Sequence, residues 1–272
     1  MKLRYILTPV IGLLLLITSC EEKTDDIENI DPTENLILVG SNSDNGLAVN
    51  MYTDDSLQVG LNRLYFQLTD ESTGDAVTEA HITHKPIMNM ATMNHSCPIA
   101  NPDMEANTDG LFESELVFVM ASGMMGTWDD TVSIHNEAAN TMHKVVFENL
   151  PVLETNMKKN LVAYDADSVQ VIYIVTLNRL GNPEVGSNEF TLTVHKKASM
   201  MSFPEVVDMA ISVNPQMPDM GHGSDGNVNP VYSENGKYEG TVVFSMTGYW
   251  TIDFAFSQND ESLGTVQYEV NF

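Results

Sequence analysis

The chain has 272 residues, a formal net charge of −26 and only two cysteines. A surface this acidic repels nucleic-acid phosphates and anionic lipid headgroups, so we exclude nucleic acid as a partner. Diffuse negative charge attracts cations but does not form a specific site, so the charge says nothing more about function.

The first twenty residues predict export and lipid attachment. Lys2 and Arg4 form a basic start, and the apolar run from Ile6 to Ile17 is short for a membrane span. The segment ends in Ile17-Thr18-Ser19-Cys20, which resembles a bacterial lipobox. The resemblance implies a lipoprotein signal peptide at residues 1–19 and a lipid anchor on Cys20. An ordinary signal peptide with an incidental cysteine is the alternative.

The next segment, residues 20–34, is acidic and nearly free of large apolar side chains. This composition predicts a flexible tether that carries the folded part away from a membrane. We therefore place the protein in the cell envelope, on the outer membrane, its periplasmic face or the cell surface. With Cys20 lipidated, Cys97 is the only thiol left, so no internal disulfide can form.

From Asn35 onward the chain consists of short apolar or alternating runs separated by Gly, Asn, Asp and Pro, which predicts strands. The motifs also occur twice. Gly60-Leu61-Asn62 corresponds to Gly186-Ser187-Asn188, and Gly126-Thr127-Trp128 corresponds to Gly248-Tyr249-Trp250. We predict an all-β protein of two tandem β-sandwiches, at residues 35–152 and 156–272. The two tryptophans are predicted core anchors whose indole N–H groups need acceptors.

One loop in each repeat concentrates sulfur and imidazole side chains. The second repeat contains Met217-Pro218-Asp219-Met220-Gly221-His222, and the first contains Met88, Met93 and His95 in the same order after Pro86. Thioether sulfur and neutral imidazole are soft to borderline donors, so loops without clustered carboxylates suit Cu(I) better than Ca²⁺, Mg²⁺ or Zn²⁺. The sequence therefore predicts a copper-binding loop carried twice.

The predicted ligand set of the second repeat is Met217, Met220 and His222, with Met246 from a later strand as the weakest member. The set of the first repeat is Met88, Met93 and His95, with these additions: Met90, Met120, Met124, Met125 and, as a thiolate, Cys97. We expect the Met-x-His pair to be extended, so that both side chains share a face. We also expect the five Met of the two loops to lie on the surface, where they gain little from packing.

Plain packing is the competing interpretation for any single methionine, because Met fills irregular gaps in cores. Packing is the prediction for Met51, Met142, Met157 and Met209. For Met120 and Met246, packing and metal ligation are equally expected. His81 and His84, which we place on one face of a strand, are interpreted as solvated histidines. The remaining histidines, His135, His143 and His195, carry no functional signal.

The second repeat also resembles a known family. Its resemblance to YtkA-like and FixH-like domains rests on Met217 to Gly223, Asn229-Pro230, Gly236-Lys237-Tyr238 and Phe244 to Trp250. The resemblance implies an immunoglobulin-like β-sandwich outside the cytoplasm, associated with copper delivery or oxidase assembly. The first repeat matches at Met88, Met93, His95, Met120 and Trp128, but it lacks the compact Met-Pro-x-Met-Gly-His.

No catalytic motif stands out, and each repeat offers one good His, so we predict a binding protein rather than an enzyme. It would capture Cu(I) or deliver it to a copper-receiving or oxidase-assembly protein. The alternative is an immunoglobulin-like scaffolding lipoprotein whose Met-rich loops form a contact patch, because exposed Met suits adaptable interfaces. A carbohydrate-binding module is a third reading, with Tyr232, Tyr238 and Tyr249 as its aromatic candidates.

Overall fold

The computed structural model describes residues 31–165, 167–178, 180 and 182–272. These residues form eighteen β-strands, and none of them belongs to a helix that could span a bilayer. The prediction of an all-β chain is confirmed. The predicted signal peptide, Cys20 and all of the tether before Asp31 lie outside the described residues.

The first nine strands form two facing sheets. The strands are β1 (Ile37–Asp44), β2 (Leu47–Thr53), β3 (Gly60–Asp70), β4 (Ala80–Met90), β5 (Asn94–His95), β6 (Ile99–Ala100), β7 (Phe112–Phe118), β8 (Gly126–Asn136) and β9 (Thr141–Leu150). One sheet has the order β1-β2-β3-β7-β6 and the other β5-β4-β8-β9. The strands alternate buried and partly exposed residues, as expected where one face of a sheet packs on a core.

The second nine strands repeat this arrangement. They are β10 (Lys158–Tyr164), β11 (Gln170–Asn178), β12 (Gly186–Lys196), β13 (Ala210–Met217), β14 (His222–Gly223), β15 (Val228–Tyr232), β16 (Lys237–Phe244), β17 (Tyr249–Gln258) and β18 (Glu261–Asn271). Their sheets have the orders β10-β11-β12-β16-β15 and β14-β13-β17-β18. Every strand of the first sandwich thus has a counterpart nine strands later, which confirms the tandem β-sandwich fold.

Each sandwich has its own core with a buried tryptophan in it. Trp128 and Trp250 are fully buried, and each packs against a phenylalanine, Phe118 or Phe244, with ring centroids 5.0 and 5.3 Å apart. The indole N–H of Trp128 donates to the Met120 carbonyl at 2.8 Å, and that of Trp250 to the Met246 carbonyl at 3.0 Å. Both tryptophans are therefore core anchors with satisfied N–H groups, as the sequence predicts.

The two sandwiches contact one another, and residues 32–272 form one compact unit. The Ser96 N–H donates to the Met200 carbonyl at 2.9 Å, and Lys158 Nζ donates to the Val119 carbonyl at 3.2 Å. Lys237 Nζ lies 2.9 Å from Glu115 Oε2, and both side chains are largely buried. The contact therefore includes a shielded ion pair as well as main-chain hydrogen bonds.

Candidate metal sites

The predicted copper loop of the second sandwich is a β-hairpin. Met217 at the end of β13 pairs directly with His222 at the start of β14. The N–H groups of Met220 and Gly221 both donate to the Met217 carbonyl, which closes a tight turn. Gly221 has a φ of +65°, a left-handed conformation that glycine adopts without strain. Directly opposed residues of an antiparallel pair have neighbouring side chains on one face, so the register makes Met217 and His222 neighbours on one face of the hairpin.

The first sandwich contains the same hairpin with one more residue pair. Met88 on β4 pairs with His95 on β5, and Asn89 pairs with Asn94 beyond them. The turn closes with a hydrogen bond from the Met90 N–H to the Met93 carbonyl at 3.1 Å. The additional pair accounts for the greater sequence spacing of the first motif and leaves its Met–His register unchanged.

Met90, the last residue of β4, is partly buried against the first core. The expectation that all five loop methionines lie on the surface is wrong outright for Met88 and Met217. Both belong to strands rather than loops, and both are buried in the sandwich cores. Pro86 and Pro215 suggest loops in the sequence, but each lies inside a strand. The Pro86 carbonyl accepts a hydrogen bond from Ser96 Oγ, so its peptide edge faces away from the ladder with β8. A missing N–H on that edge removes no ladder bond.

The Met-x-His expectation also needs correction in the second sandwich. Met220 lies in the turn and not in an extended segment, because the chain reverses through Gly221 before it enters β14. The Met220 side chain is 61% exposed, whereas Met217 is nearly covered. The Met that the register places beside His222 is therefore Met217, and Met220 lies at the rim.

The two histidines have the same hydrogen-bonded state. His95 Nδ1 lies 2.9 Å from the carbonyl oxygen of Ser96, and His222 Nδ1 lies 2.9 Å from that of Gly223. A carbonyl oxygen only accepts, so Nδ1 carries the proton and donates in both rings. In a neutral ring the lone pair is then on Nε2, which is the form in which imidazole binds a metal.

Each imidazole also stands edge-on against the buried tryptophan of its sandwich. The His95 and Trp128 ring centroids are 5.1 Å apart at 83°, and those of His222 and Trp250 are 5.8 Å apart at 77°. The same tryptophan donates its N–H to the carbonyl of Met120 or Met246. The side chain of Met246 is 40% exposed.

In the first sandwich four predicted ligands line one cleft of about 250 Å³. These residues are Met90, Met93, His95 and Met120. His95 is buried apart from its edge on this cleft, and Met93 is 51% exposed. Met124 and Met125, in the turn before β8, are highly exposed and do not line the cleft. Three methionines and one histidine of the predicted first set thus line a common space.

Cys97 lies in the hydrophobic core, 4% exposed, and is not among the residues that line the cleft. Burial, together with the charge of Asp130, raises the pKa of the Cys97 thiol well above its usual range. A thiol in these surroundings stays protonated and is not a ready metal ligand. The predicted role of Cys97 as a thiolate ligand therefore finds no support in this geometry.

His84 is not a solvated histidine, and it does not share a face with His81, which is exposed. Its Nδ1 lies 2.8 Å from Asp130 Oδ2 and its Nε2 lies 2.6 Å from Ser114 Oγ. Ser114 donates to the Ala100 carbonyl, so its oxygen accepts from Nε2–H. All three side chains are buried, and the second sandwich has Val213, Gly240 and Ile252 at the equivalent positions. Sequence reasoning missed this cluster because its members come from three separate strands.

The other methionines divide between core and surface. Met51 and Met209 are buried, as predicted, whereas Met142 and Met157 are exposed, so the packing interpretation is wrong for those two. Across the described ranges, no three His, Cys, Asp or Glu side chains are grouped closely enough to hold a metal ion. The donor groups that do converge are therefore those of Met and His, and such soft donors fit Cu(I).

Comparison with known proteins supports the family resemblance for the second sandwich. Residues 168–255 match the YtkA-like family model. None of the curated proteins is significantly similar to the chain. Among solved structures, domains 5 and 6 of the S-layer protein SbsC align over 87% of this chain and 99% of that one, with 13% identity and a TM-score of 0.29. A C-terminal intimin fragment, solved in complex with the intimin-binding domain of its translocated receptor, aligns over 85% of this chain and 64% of that one, with 10% identity and a TM-score of 0.22. TM-scores this low carry no functional inference.

Proposed function

We propose that this protein is an extracytoplasmic Cu(I)-binding lipoprotein, because residues 168–255 match the YtkA-like family model. It is anchored through Cys20 and captures copper or delivers it to a copper-receiving or oxidase-assembly protein. Each sandwich holds one ion, and the ligands come from the Met–His hairpin and the methionines next to it. The proposal is for binding and exchange, not for catalysis.

The observation that carries this proposal is the duplicated state of His95 and His222. In both hairpins Nδ1–H is bound to the carbonyl of the following residue, which leaves Nε2 as the free nitrogen. In both, a methionine stands opposite the histidine in register. The same tautomer, tryptophan contact and methionine partner thus occur in both sandwiches although their sequences differ.

The donor chemistry favours Cu(I) over other ions. Thioethers are neutral and soft, so they bind a monovalent soft ion without the charge compensation that a divalent hard ion requires. The exposed Met220 and the largely exposed Met93 suit exchange, because an incoming ligand can replace them at the rim while the buried partners stay fixed.

The second sandwich provides the direct test. The chain from Glu21 onward, which retains every described strand, should bind one Cu(I) in each sandwich when it competes with a chromophoric chelator. The double variant Met220→Ala with His222→Ala should lose one equivalent and keep the other. The matched control is Met142→Ala with His135→Ala, which removes an exposed Met and a partly exposed His from the other end of the first sandwich. Full binding by the Met220 and His222 variant would refute the site.

A contact patch for another protein is the second candidate, and it is favoured by the exposed turn between β7 and β8. Met124 and Met125 are both exposed there and have no described role in either metal site. Under this reading, Met124→Ser with Met125→Ser would abolish binding of a partner protein while the Cu(I) stoichiometry stays the same.

A further inference from the structure

The cleft beside His95 is bounded by both sandwiches. One wall carries Met90, Met93, His95 and Met120 of the first sandwich. The opposite wall belongs to the second sandwich and includes Lys158, Ile172, Lys197, Met200 and Phe203. Met200 is the only sulfur-containing residue on that second wall. The hairpin of the second sandwich lies elsewhere, and none of its residues lines this cleft.

Met200 is held next to the imidazole by main-chain hydrogen bonds. Its carbonyl accepts the N–H of Ser96, the residue that follows His95 and whose own carbonyl fixes the His95 ring. The turn around Met200 is closed by hydrogen bonds from the Ala198 and Ser199 N–H groups to the Ser202 carbonyl, at 3.0 and 3.2 Å. The position of Met200 relative to the ligand histidine is therefore set by the backbone of both sandwiches.

The charge of the cleft selects among cations. Lys158 and Lys197 line it, and protonated lysines have no lone pair with which to bind a metal. Partial burial lowers the pKa of Lys158. The negative charge of Glu154 opposes this shift, and the positive charge of Lys197 adds to it. Nearby positive charge repels a divalent ion twice as strongly as a monovalent one. Apolar walls with neutral sulfur donors and two lysines thus admit Cu(I) in preference to Cu(II) or Zn²⁺.

We propose that Met200 supplies a thioether to the first copper site, so that this ion is held between the two sandwiches. The inference rests on the proposed function and extends it to a second-sandwich residue outside both Met–His hairpins. The first site is then completed only when the sandwiches are docked, whereas the second site lies within one sandwich. Binding of Cu(I) at the first site should in turn strengthen the docking, by linkage.

The test uses the chain with Met220→Ala and His222→Ala, in which only the first site remains. Adding Met200→Leu should weaken Cu(I) binding about tenfold or more in chelator competition, because a sulfur ligand is lost while the side-chain volume is nearly kept. Met201→Leu is the matched control, since Met201 is adjacent, exposed and absent from the cleft lining. It should leave the affinity unchanged.

Two further measurements distinguish the loss of a sulfur ligand from a loss of stability. X-ray absorption at the copper edge should show one fewer sulfur neighbour in the Met200→Leu variant than in its parent. Met200→Cys should recover part of the affinity that Met200→Leu loses, because it returns a sulfur ligand to this residue, one bond closer to the backbone, and it serves as the second variant if Leu lowers the unfolding temperature. Equal Cu(I) affinity and sulfur count in parent and Met200→Leu would overturn the inference and leave the proposed function standing. Absence of Cu(I) uptake by the unmodified chain would instead overturn the proposed function.

Discussion

Two imidazole nitrogens, Nε2 of His95 and Nε2 of His222, are the atoms on which the proposed chemistry depends. The sequence identifies both histidines because each follows a methionine by two residues in a loop rich in small and polar side chains. It cannot give the hydrogen bond of Nδ1 to the following carbonyl, since that bond depends on the backbone path through β5 and β14. The donor types were therefore predictable, and the nitrogen of each ring that donates to the backbone was not.

Cys97 and Met217 show why the burial of the candidate residues was harder to predict. The amino-acid composition around each of them is that of a surface loop, yet both side chains are buried, Cys97 in the first core and Met217 in the second. Burial depends on residues far away in the sequence that cover the position. A single sequence does not contain that information in any local pattern.

His195, which carries no functional signal, is expected to set part of the pH dependence of folding. It is buried in β12, its Nδ1 has no hydrogen-bond partner among the described residues, and burial lowers its pKa to about 4, against an opposing effect of Glu205. Between pH 6.5 and pH 4 the unfolded chain therefore binds more protons than the folded one. The free energy of unfolding should fall as the pH falls through this range, by up to roughly 3 kcal/mol.

Urea unfolding at pH 7 and pH 4.5 measures this loss. The His195→Gln variant cannot take up the proton, so it should lose less stability between the two pH values than the parent does. Comparing the loss within each protein removes any constant cost of the substitution. An equal loss in both proteins would show that His195 does not titrate in this way.

At the scale of elements, the hairpin register is what joins sulfur to imidazole. The duplication of short strands and of the Gly-x-Asn turns was predictable, and the structure shows Asn62 and Asn188 in the same role, each bonded to the backbone four residues earlier. The continuation of β4 through Pro86 and the assignment of β13 were not predictable, because Pro86 and Pro215 argue against strands. Proline fits there since its missing N–H lies on the edge that faces away from the main ladder.

Gly248, at the start of the Gly-Tyr-Trp motif, should be sensitive to substitution. It has a φ of +132°, and a Cβ atom added to it would lie 2.5 Å from Met217 Cε. Gly248→Ala should lower the free energy of unfolding by an amount on the order of 1–3 kcal/mol, because the backbone is strained for any other residue. It should also push the Met217 side chain away and weaken Cu(I) binding in the second sandwich only.

Thermal or urea unfolding gives the stability change, and chelator competition gives the affinity of each site. Gly46→Ala serves as the control, since Gly46 also has a positive φ but has open space around its added Cβ atom. A control variant with the same loss of copper affinity as Gly248→Ala would indicate a general effect of lower stability, and would contradict a specific contact with Met217.

At the scale of the whole molecule, two copies of one sandwich are packed so that the Met–His hairpin of the first copy faces the second copy. The two copies could be recognised in the sequence from repeated motifs at a nearly constant spacing. Their contact could not, because it joins residues such as Ser96 and Met200 that no periodic pattern relates. The ion pair between Lys237 and Glu115 likewise connects strands from the two halves of the chain. This packing makes the two proposed sites unequal even though their hairpins are alike.

The central claim is that each sandwich holds one Cu(I) on a histidine whose Nε2 is free. It is tested most directly by Cu(I) titration of the chain from Glu21 onward under reducing conditions, beside the double variant His95→Ala with His222→Ala. The account predicts two equivalents that resist the chelator in the parent and none in the variant. Equal uptake by the two proteins, or no uptake by the parent, would contradict it.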